Sequence, residues 1–290
     1  FSLPISQGPA LTCSSTIPDL DYFRGSYGAK ALFPLFHDAE AKDPNISSAL
    51  LDFLATRFET PHKSRAKLAT DLAAYVYAIL AQPAYSETFC DELLKKELRV
   101  PLTKDKKLFD RAASFGRCLI NMHTYGERFT SVKKWRAKKG KAKCLVAVPD
   151  TEKDYPESYC WENSKLRVGA GVFAPVDEKI YDFEVSGLKV LQSWLGYRMK
   201  EPKGKKSSPL DSITPKYWSH DFTKELLELL WLLEATIDGY AKQKALLNEV
   251  LESPLFAERE LPPVPNKERK WRGDLDNGDA VEIDMPEVKE

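Results

Sequence analysis

The hydrophobic period of this chain changes near Lys143, and that change constrains the fold more than any other feature. Before it, apolar residues recur at helical spacing. Leu68, Leu72, Tyr75, Val76, Ile79 and Leu80 form one stripe that Pro83 ends, and Leu108, Ala112, Phe115, Leu119 and Met122 form another. After it come short β-branched and aromatic runs, CLVAV, SYCW, KLRV, GVFAPV and KIYDFEV, separated by Pro, Asp, Asn and Gly. Helix then returns after Gly187, with Leu188, Leu191, Trp194 and Leu195 on one face. A last pair of helices is expected over Thr223 to Asp238 and Lys242 to Leu251. The first of these carries Leu226, Leu229, Leu230, Leu233 and Ile237 on one stripe, with Leu227 and Trp231 beside it, so it should be buried nearly all round.

The fold class that follows is α+β: a helical N-terminal half, a central antiparallel β meander and a C-terminal helical pair. Four segments are expected. Residues 1–45 form an irregular lead-in, interrupted by five prolines, with a possible strand at Ala31 to Phe36. Residues 46–130 form a mainly helical subdomain, and residues 131–256 an α/β core with its closing helices. Residues 257–290 begin with the Pro-rich ELPPVP strap, and from Gly273 they carry seven acids and one Lys with almost no apolar pattern, which reads as a disordered acidic tail. Within the core, Ile180 to Val185 alternates like a strand, Ser186-Gly187 turns it, and Trp194 should pack the next helix on the sheet.

Composition bounds the function. The 290 residues are 43 % hydrophobic, ample for a core, and no apolar run approaches the roughly 20 residues that span a bilayer. The start at Phe1 without a secretory signal reads as an excised fragment. Five scattered cysteines, with no CxxC or HxxxH pairing, suit a reducing compartment, so a cytoplasmic location without membrane partners is expected.

The net charge is zero, yet it is segregated: Lys95 to Lys143 holds sixteen Lys/Arg against four acids, an excess of +12. Catalytic motifs are missing. Gly140-Lys141 and Gly204-Lys205-Lys206 lack the rest of a phosphate-binding loop, and the sole Pro-Pro pair, Pro262-Pro263, sits in LPPVP rather than in an amine-binding tetrapeptide. A nuclease pattern can be forced onto Pro18-Asp19 and Glu40-Ala41-Lys42, but HDAEAKDPN reads as a turn where a strand is required.

What survives is cation plus aromatic. Residues 124–143, TYGERFTSVKKWRAKKGKAK, interleave Tyr125, Phe129 and Trp135 with dense Lys and Arg and one acid, a composition suited to phosphate neutralisation and base stacking. A second basic stretch holds Arg198, Lys200, Lys203, Lys205 and Lys206, with Ser207 and Ser208 as phosphate donors. A solvated lysine loop is the bland alternative for each.

Most of the chain resembles the C-terminal specificity region of Type ISP restriction-modification enzymes. The resemblance is carried by IPDLDYFRGSYG (17–28), LAAYVYAILAQPAYSETF (72–89), LRVPLTKDKKLF (98–109), GRCLINMHTYGER (116–128), YDFEVSGLKVLQSWLGYRM (181–199), GKKSSPLDSI (204–213) and TKELLELLWLLEATI (223–237). Strand, Gly, helix and WLxxR also look like the recognition domains of single-chain restriction-methyltransferases.

The resemblance implies a non-catalytic target-recognition piece that binds duplex DNA. It would direct an adenine-N6 methyltransferase and a helicase/nuclease, as domains of the same polypeptide or of a partner chain. No cofactor is expected in this chain, while S-adenosylmethionine, ATP and Mg²⁺ are implied for the full enzyme. DNA contacts are expected at Arg128, Lys133, Lys134, Trp135, Arg136, Lys138, Lys139, Lys141, Lys143, Arg167, Arg198, Lys205 and Lys206. Asn163 and Gln192 join Arg128, Arg136 and Arg167 as candidates for reading base edges. The alternative is a helical accessory domain that docks a helicase or methyltransferase without DNA specificity of its own.

Overall fold

The computed structural model describes residues 8–16, 33–60, 64–95, 98–129, 139–185, 187–200 and 215–269. The chain divides into two compact units, Phe1–Leu32 with Asp71–Leu255, and Phe33–Thr70 with Phe256–Glu290. In chain order the elements are α1 (Ser48–Arg57), α2 (Arg65–Leu80), α3 (Pro83–Thr88), α4 (Cys90–Leu94) and α5 (Lys106–His123), then β1 (Lys143–Val146), β2 (Tyr159–Glu162), β3 (Lys165–Val168) and β4 (Gly171–Ala174). They are followed by α6 (Glu178–Tyr181), β5 (Glu184–Val185), β6 (Leu188–Lys189), α7 (Val190–Gly196), α8 (His220–Glu252) and α9 (Asn266–Arg269). The α+β class and the central antiparallel sheet are as expected.

In the smaller unit, Phe53 and Phe58 meet Phe256 edge-on at centroid distances of 5.3 and 6.3 Å. Glu268 accepts from the Ser48 hydroxyl at 2.6 Å and from its amide at 3.2 Å, which satisfies donors at the start of α1. Leu35 and Phe36 do not form the expected strand. Phe36 makes a single bridge to Pro44, because the Asp38 carboxylate draws the Lys42 and Asp43 amides into a turn. Glu40 and Lys42 therefore lie on that turn, where they cannot act as strand-borne nuclease residues. The other half of that pattern, at Asp19, lies outside the described residues, as do Ala31 and Leu32.

α2, which passes from the smaller unit into the larger one at Asp71, and α5, in the larger unit, carry the stripes read from their periodicity. They touch so closely that a Cβ on Gly116 would fall 1.8 Å from the Ala74 carbonyl oxygen. Asp71, almost fully buried, pairs with Arg117 at 2.5 Å, and Asp105 caps α5 by accepting from the Lys107 and Leu108 amides. Two buried amides tie α2 to α8: Gln82 Nε2 donates to the Gln243 carbonyl at 3.2 Å, and Gln243 Nε2 donates to those of Ala78 and Ala81.

Two expectations are corrected. The C-terminal pair is one continuous helix of 33 residues, α8, about 50 Å long by its rise per residue. Gly239 sits in open space mid-helix, and an isolated Gly with no Pro beside it costs only about 1 kcal/mol. That is less than the gain from burying Gln243, Leu246, Leu247 and Val250 on the continuing face. From Leu226 to Ile237 no α8 residue is exposed, so burial all round holds. The second correction concerns Ile180 to Val185. Residues 178–181 form the short helix α6, because the Asp177 side chain accepts from the Lys179 amide and starts a turn. Only Glu184–Val185 is strand, paired with Leu188–Lys189 around Gly187, whose φ is +79°.

The four-stranded sheet is antiparallel in the order β1-β4-β3-β2. β2, β3 and β4 form a meander, and β1 joins β4 as an edge strand with a bulge between Cys144 and Val146. Leu166, Val168 and Phe173 on its inner face are fully buried in a core with Leu191, Leu195, Leu226, Leu230 and Leu233. The Tyr159 hydroxyl donates to the Gln192 carbonyl at 3.2 Å, which fixes α7 to β2. Trp194 is packed against this core, meets Trp218 edge-on at 6.2 Å and also supports Arg198.

Candidate nucleic-acid interface

Strand parity decides which cations the sheet presents. Register pairs Lys143 with Ala174, Arg167 with Val172 and Cys160, and Lys165 with Glu162, and paired residues share a face. Since Leu166, Val168 and Phe173 point inward, Lys143, Lys165 and Arg167 point outward. All three are exposed. None forms an ion pair with another described residue, and Glu162 is the one acid among these register partners. Lys165 was missed as a site residue, although KLRV carries its signal: two cations two positions apart on an alternating strand.

The β2–β3 connection is the two-residue turn Asn163-Ser164, with φ of +51° and +59°. Both values are left-handed, the geometry of the tight hairpin turn whose twist matches the strands. Neither residue is Gly, so the turn holds two side chains in a conformation that L-residues rarely take. Asn163 and Ser164 line an open depression of about 410 Å³ together with Lys141, Lys143, Lys165 and Pro175. This gathers Lys141, Lys143 and Asn163, all expected from sequence, at one place. Arg167 is on the same sheet face.

Both ends of the basic segment are held. At the first end α5 stops at His123 and residues 124–129 fold back, with Tyr125 and Phe129 at positive φ. Asn121 Nδ2 donates to the Arg128 carbonyl at 2.6 Å, the Arg128 amide donates to Thr124 Oγ1, and the Arg128 guanidinium donates to the Ser15 carbonyl at 2.6 Å. Ser15 Oγ donates to Glu127. The HTYGER sequence is thus a hydrogen-bonded turn, and the Arg128 side chain is tied outside it to the Ser15 carbonyl.

Beneath the turn runs a chain of polar side chains. Thr236 Oγ1 donates to the Leu232 carbonyl at 2.8 Å, so it accepts from His123 Nε2 at 3.0 Å, and His123 Nδ1 then accepts from the Tyr77 hydroxyl at 2.6 Å. Burial holds the imidazole neutral by pushing its pKa down to about 4, and it pushes the Cys13 thiol, hydrogen-bonded to Tyr77, up to about 11.

At the second end Glu234 of α8 accepts from the Lys141 amide at 2.8 Å and pairs with the Lys141 ammonium at 3.1 Å, while Trp231 Nε1 donates to the Ala142 carbonyl at 2.8 Å. The Glu234 carboxylate raises the Lys141 pKa above its ordinary value. Lys139 is exposed beside this contact. Lys133, Lys134, Trp135, Arg136 and Lys138 lie outside the described residues.

The second basic stretch is different. The Arg198 guanidinium lies 3.8 Å from the Trp194 ring centroid and 5.3 Å from that of Phe222, donates to the Trp194 carbonyl and pairs with Glu225 at 3.2 Å. Lys200 pairs with Glu157 at 2.8 Å. Gln192 Nε2 reaches Asp182 at 3.5 Å, and Asp182 also pairs with Lys189 at 3.0 Å. Lys203, Lys205 and Lys206, with Ser207 and Ser208, lie outside the described residues, as does the acidic tail. No described helix is long and apolar enough to cross a membrane.

Among solved structures, the chain is similar to the cryoEM structure of a DrdV–DNA complex, at 17 % identity and a TM-score of 0.42, covering 68 % of this chain and 19 % of that one. It is also similar to a nuclease-deletion mutant of the Type ISP restriction-modification enzyme LlaGI in complex with a DNA substrate mimic, at 19 % identity and a TM-score of 0.40, covering 62 % and 13 %. It therefore spans under a fifth of either chain. No curated protein matches. The family profile of the Type ISP C-terminal specificity domain matches residues 2–229, most of the length, and the chain belongs to that family.

Proposed function

We propose that this chain recognises a short DNA sequence for a restriction-modification enzyme, gripping duplex DNA through the outer face of its four-stranded sheet and the basic segment that leads into it. The observation that carries this reading is the outward set Lys143, Lys165 and Arg167 beside the Asn163-Ser164 turn, in a chain of a specificity family. Lysines supply sequence-independent phosphate contact, whereas Arg and Asn have the paired geometry that reads guanine and adenine edges. Lys143 and Lys165 are assigned the phosphate role; Arg167 and Asn163 are assigned the base-reading one.

The address would serve an adenine-N6 methyltransferase and a helicase/nuclease, carried by other domains of the parent polypeptide or by a partner chain. S-adenosylmethionine, ATP and Mg²⁺ would bind in those domains. The test is equilibrium binding to a duplex bearing the target, defined by methylation mapping in the source organism, against a scrambled duplex over a range of salt. The expected result is preference for the target, with Arg167→Ala narrowing that preference by about tenfold while total affinity stays salt-dependent. Equal and salt-insensitive binding of both duplexes would overturn the reading and leave a protein-docking role.

A further inference from the structure

Glu234 is a carboxylate set beside a cationic surface, and it neutralises one of that surface's lysines. Its side chain is only 12 % exposed, and it takes both the Lys141 amide, at 2.8 Å, and the Lys141 ammonium, at 3.1 Å. Asp177 and Asp238 add to the negative field on the same lysine. For phosphate binding alone this is counterproductive, since each neutralised cation removes one counterion-releasing contact.

The backbone shows what is gained. Gly140 passes so near α8 that a Cβ there would lie 2.2 Å from Glu234 Oε2 and 2.7 Å from Trp231 Cδ1. Trp231 then takes the Ala142 carbonyl, and Lys143 enters β1 opposite Ala174. Residues 140–142 are therefore held by three contacts from one helix: a hydrogen bond from the Lys141 amide, a hydrogen bond to the Ala142 carbonyl and a close approach of Gly140 to the Glu234 and Trp231 side chains that an added methyl group would force to shift.

We propose that Glu234 and Trp231 are positioning residues for DNA binding. They fix the path of Gly140 to Ala142, so that Lys139 and Lys143 are presented in a set place, at the expense of the Lys141 charge. The proposal rests on the functional reading above, and it makes a prediction opposite in sign to plain electrostatics.

The test compares Glu234→Ala, Glu234→Gln, Gly140→Ala and Trp231→Phe in binding to a mixed-sequence duplex, with thermal unfolding of each variant alongside. Glu234→Ala and Glu234→Gln both remove one negative charge and release Lys141, so electrostatics alone tightens both equally. Positioning separates them. Glutamine keeps an oxygen for the Lys141 amide and binds at least as tightly as wild type, whereas alanine loses it and binds about tenfold more weakly.

Gly140→Ala, which changes no charge, is expected to weaken binding as Glu234→Ala does. Trp231→Phe, which keeps a ring but loses the bond to Ala142, is expected to weaken binding in the same direction. Should one variant fail to fold, the remaining ones decide the matter. Equal tightening by Glu234→Ala and Glu234→Gln, or unchanged binding by Gly140→Ala, would overturn the proposal. Absence of DNA binding by the wild-type chain would overturn both this proposal and the functional reading beneath it.

Discussion

Two groups of cations look alike in the sequence and differ in what surrounds them. Behind α7, Arg198 is stacked on Trp194, paired with Glu225 and faced by Phe222, and Lys200 is paired with Glu157. On the sheet, Lys143, Lys165 and Arg167 stand exposed without ion pairs among the described residues. Both terminal nitrogens of Arg198 and one face of its guanidinium are committed to the fold, so binding a phosphate would first require breaking those contacts. The sheet cations lose only water. Charge density marks both groups, and partners separate them.

The sharpest way to break this contrast is charge reversal on each side. Glu in place of Lys143, Lys165 and Arg167 together is expected to lower duplex affinity by about a thousandfold near 0.1 M salt, while the same change at Lys189 and Lys200 shifts it by less than about threefold. Fluorescence anisotropy with a labelled duplex measures both. Comparable losses on the two sides would end the distinction.

The turn that holds the first end of the basic segment has a pH signature of its own. His123, between Tyr77 and Thr236, has its pKa pushed by burial from the ordinary 6.5 down to about 4. Above pH 6.5 the ring is neutral in both folded and unfolded states and contributes no pH dependence. As pH falls from 6.5 to 4 the unfolded chain takes the proton first, so stability drops by about 3 kcal/mol over that window. Denaturant unfolding at pH 7 and pH 4.5 measures the drop, and His123→Gln isolates it from the carboxylates by flattening part of it. A histidine variant with the same acid sensitivity as wild type would show that this ring does not titrate as placed.

Arg198→Ala sharpens the comparison on a smaller scale. Loss of the stacked guanidinium and its pairing with Glu225 is expected to cost about 2 kcal/mol of stability, read from chemical denaturation. The salt dependence of DNA binding should stay where it was. A flattened salt slope with unchanged stability would move Arg198 to the DNA-contacting group.

The legible parts of the fold were those set by local pattern. Helical stripes at 68–80 and 108–122 and the alternation in KLRV each bury one face, and the pattern alone shows which. Ile180 to Val185 misled because four residues of a capped helical turn can carry the same alternation as a strand. Only the Asp177 side chain, which accepts from the Lys179 amide, distinguishes them. The break expected near Gly239 failed because tertiary burial of Gln243 and the residues after it outweighs one weak helix former. At the site, Lys143 and Arg167 were readable as cations, but Glu234 acts on Lys141 from 93 positions away, a separation that no local period reports.

The most direct measurement is the salt dependence of duplex binding by Lys143→Ala/Lys165→Ala against wild type. If the outer sheet face lies on the phosphates, the log-log slope flattens by about 1.8, or about 0.9 for each lysine, with thermal stability unchanged. An unchanged slope in a folded double variant would remove the sheet face from the interface.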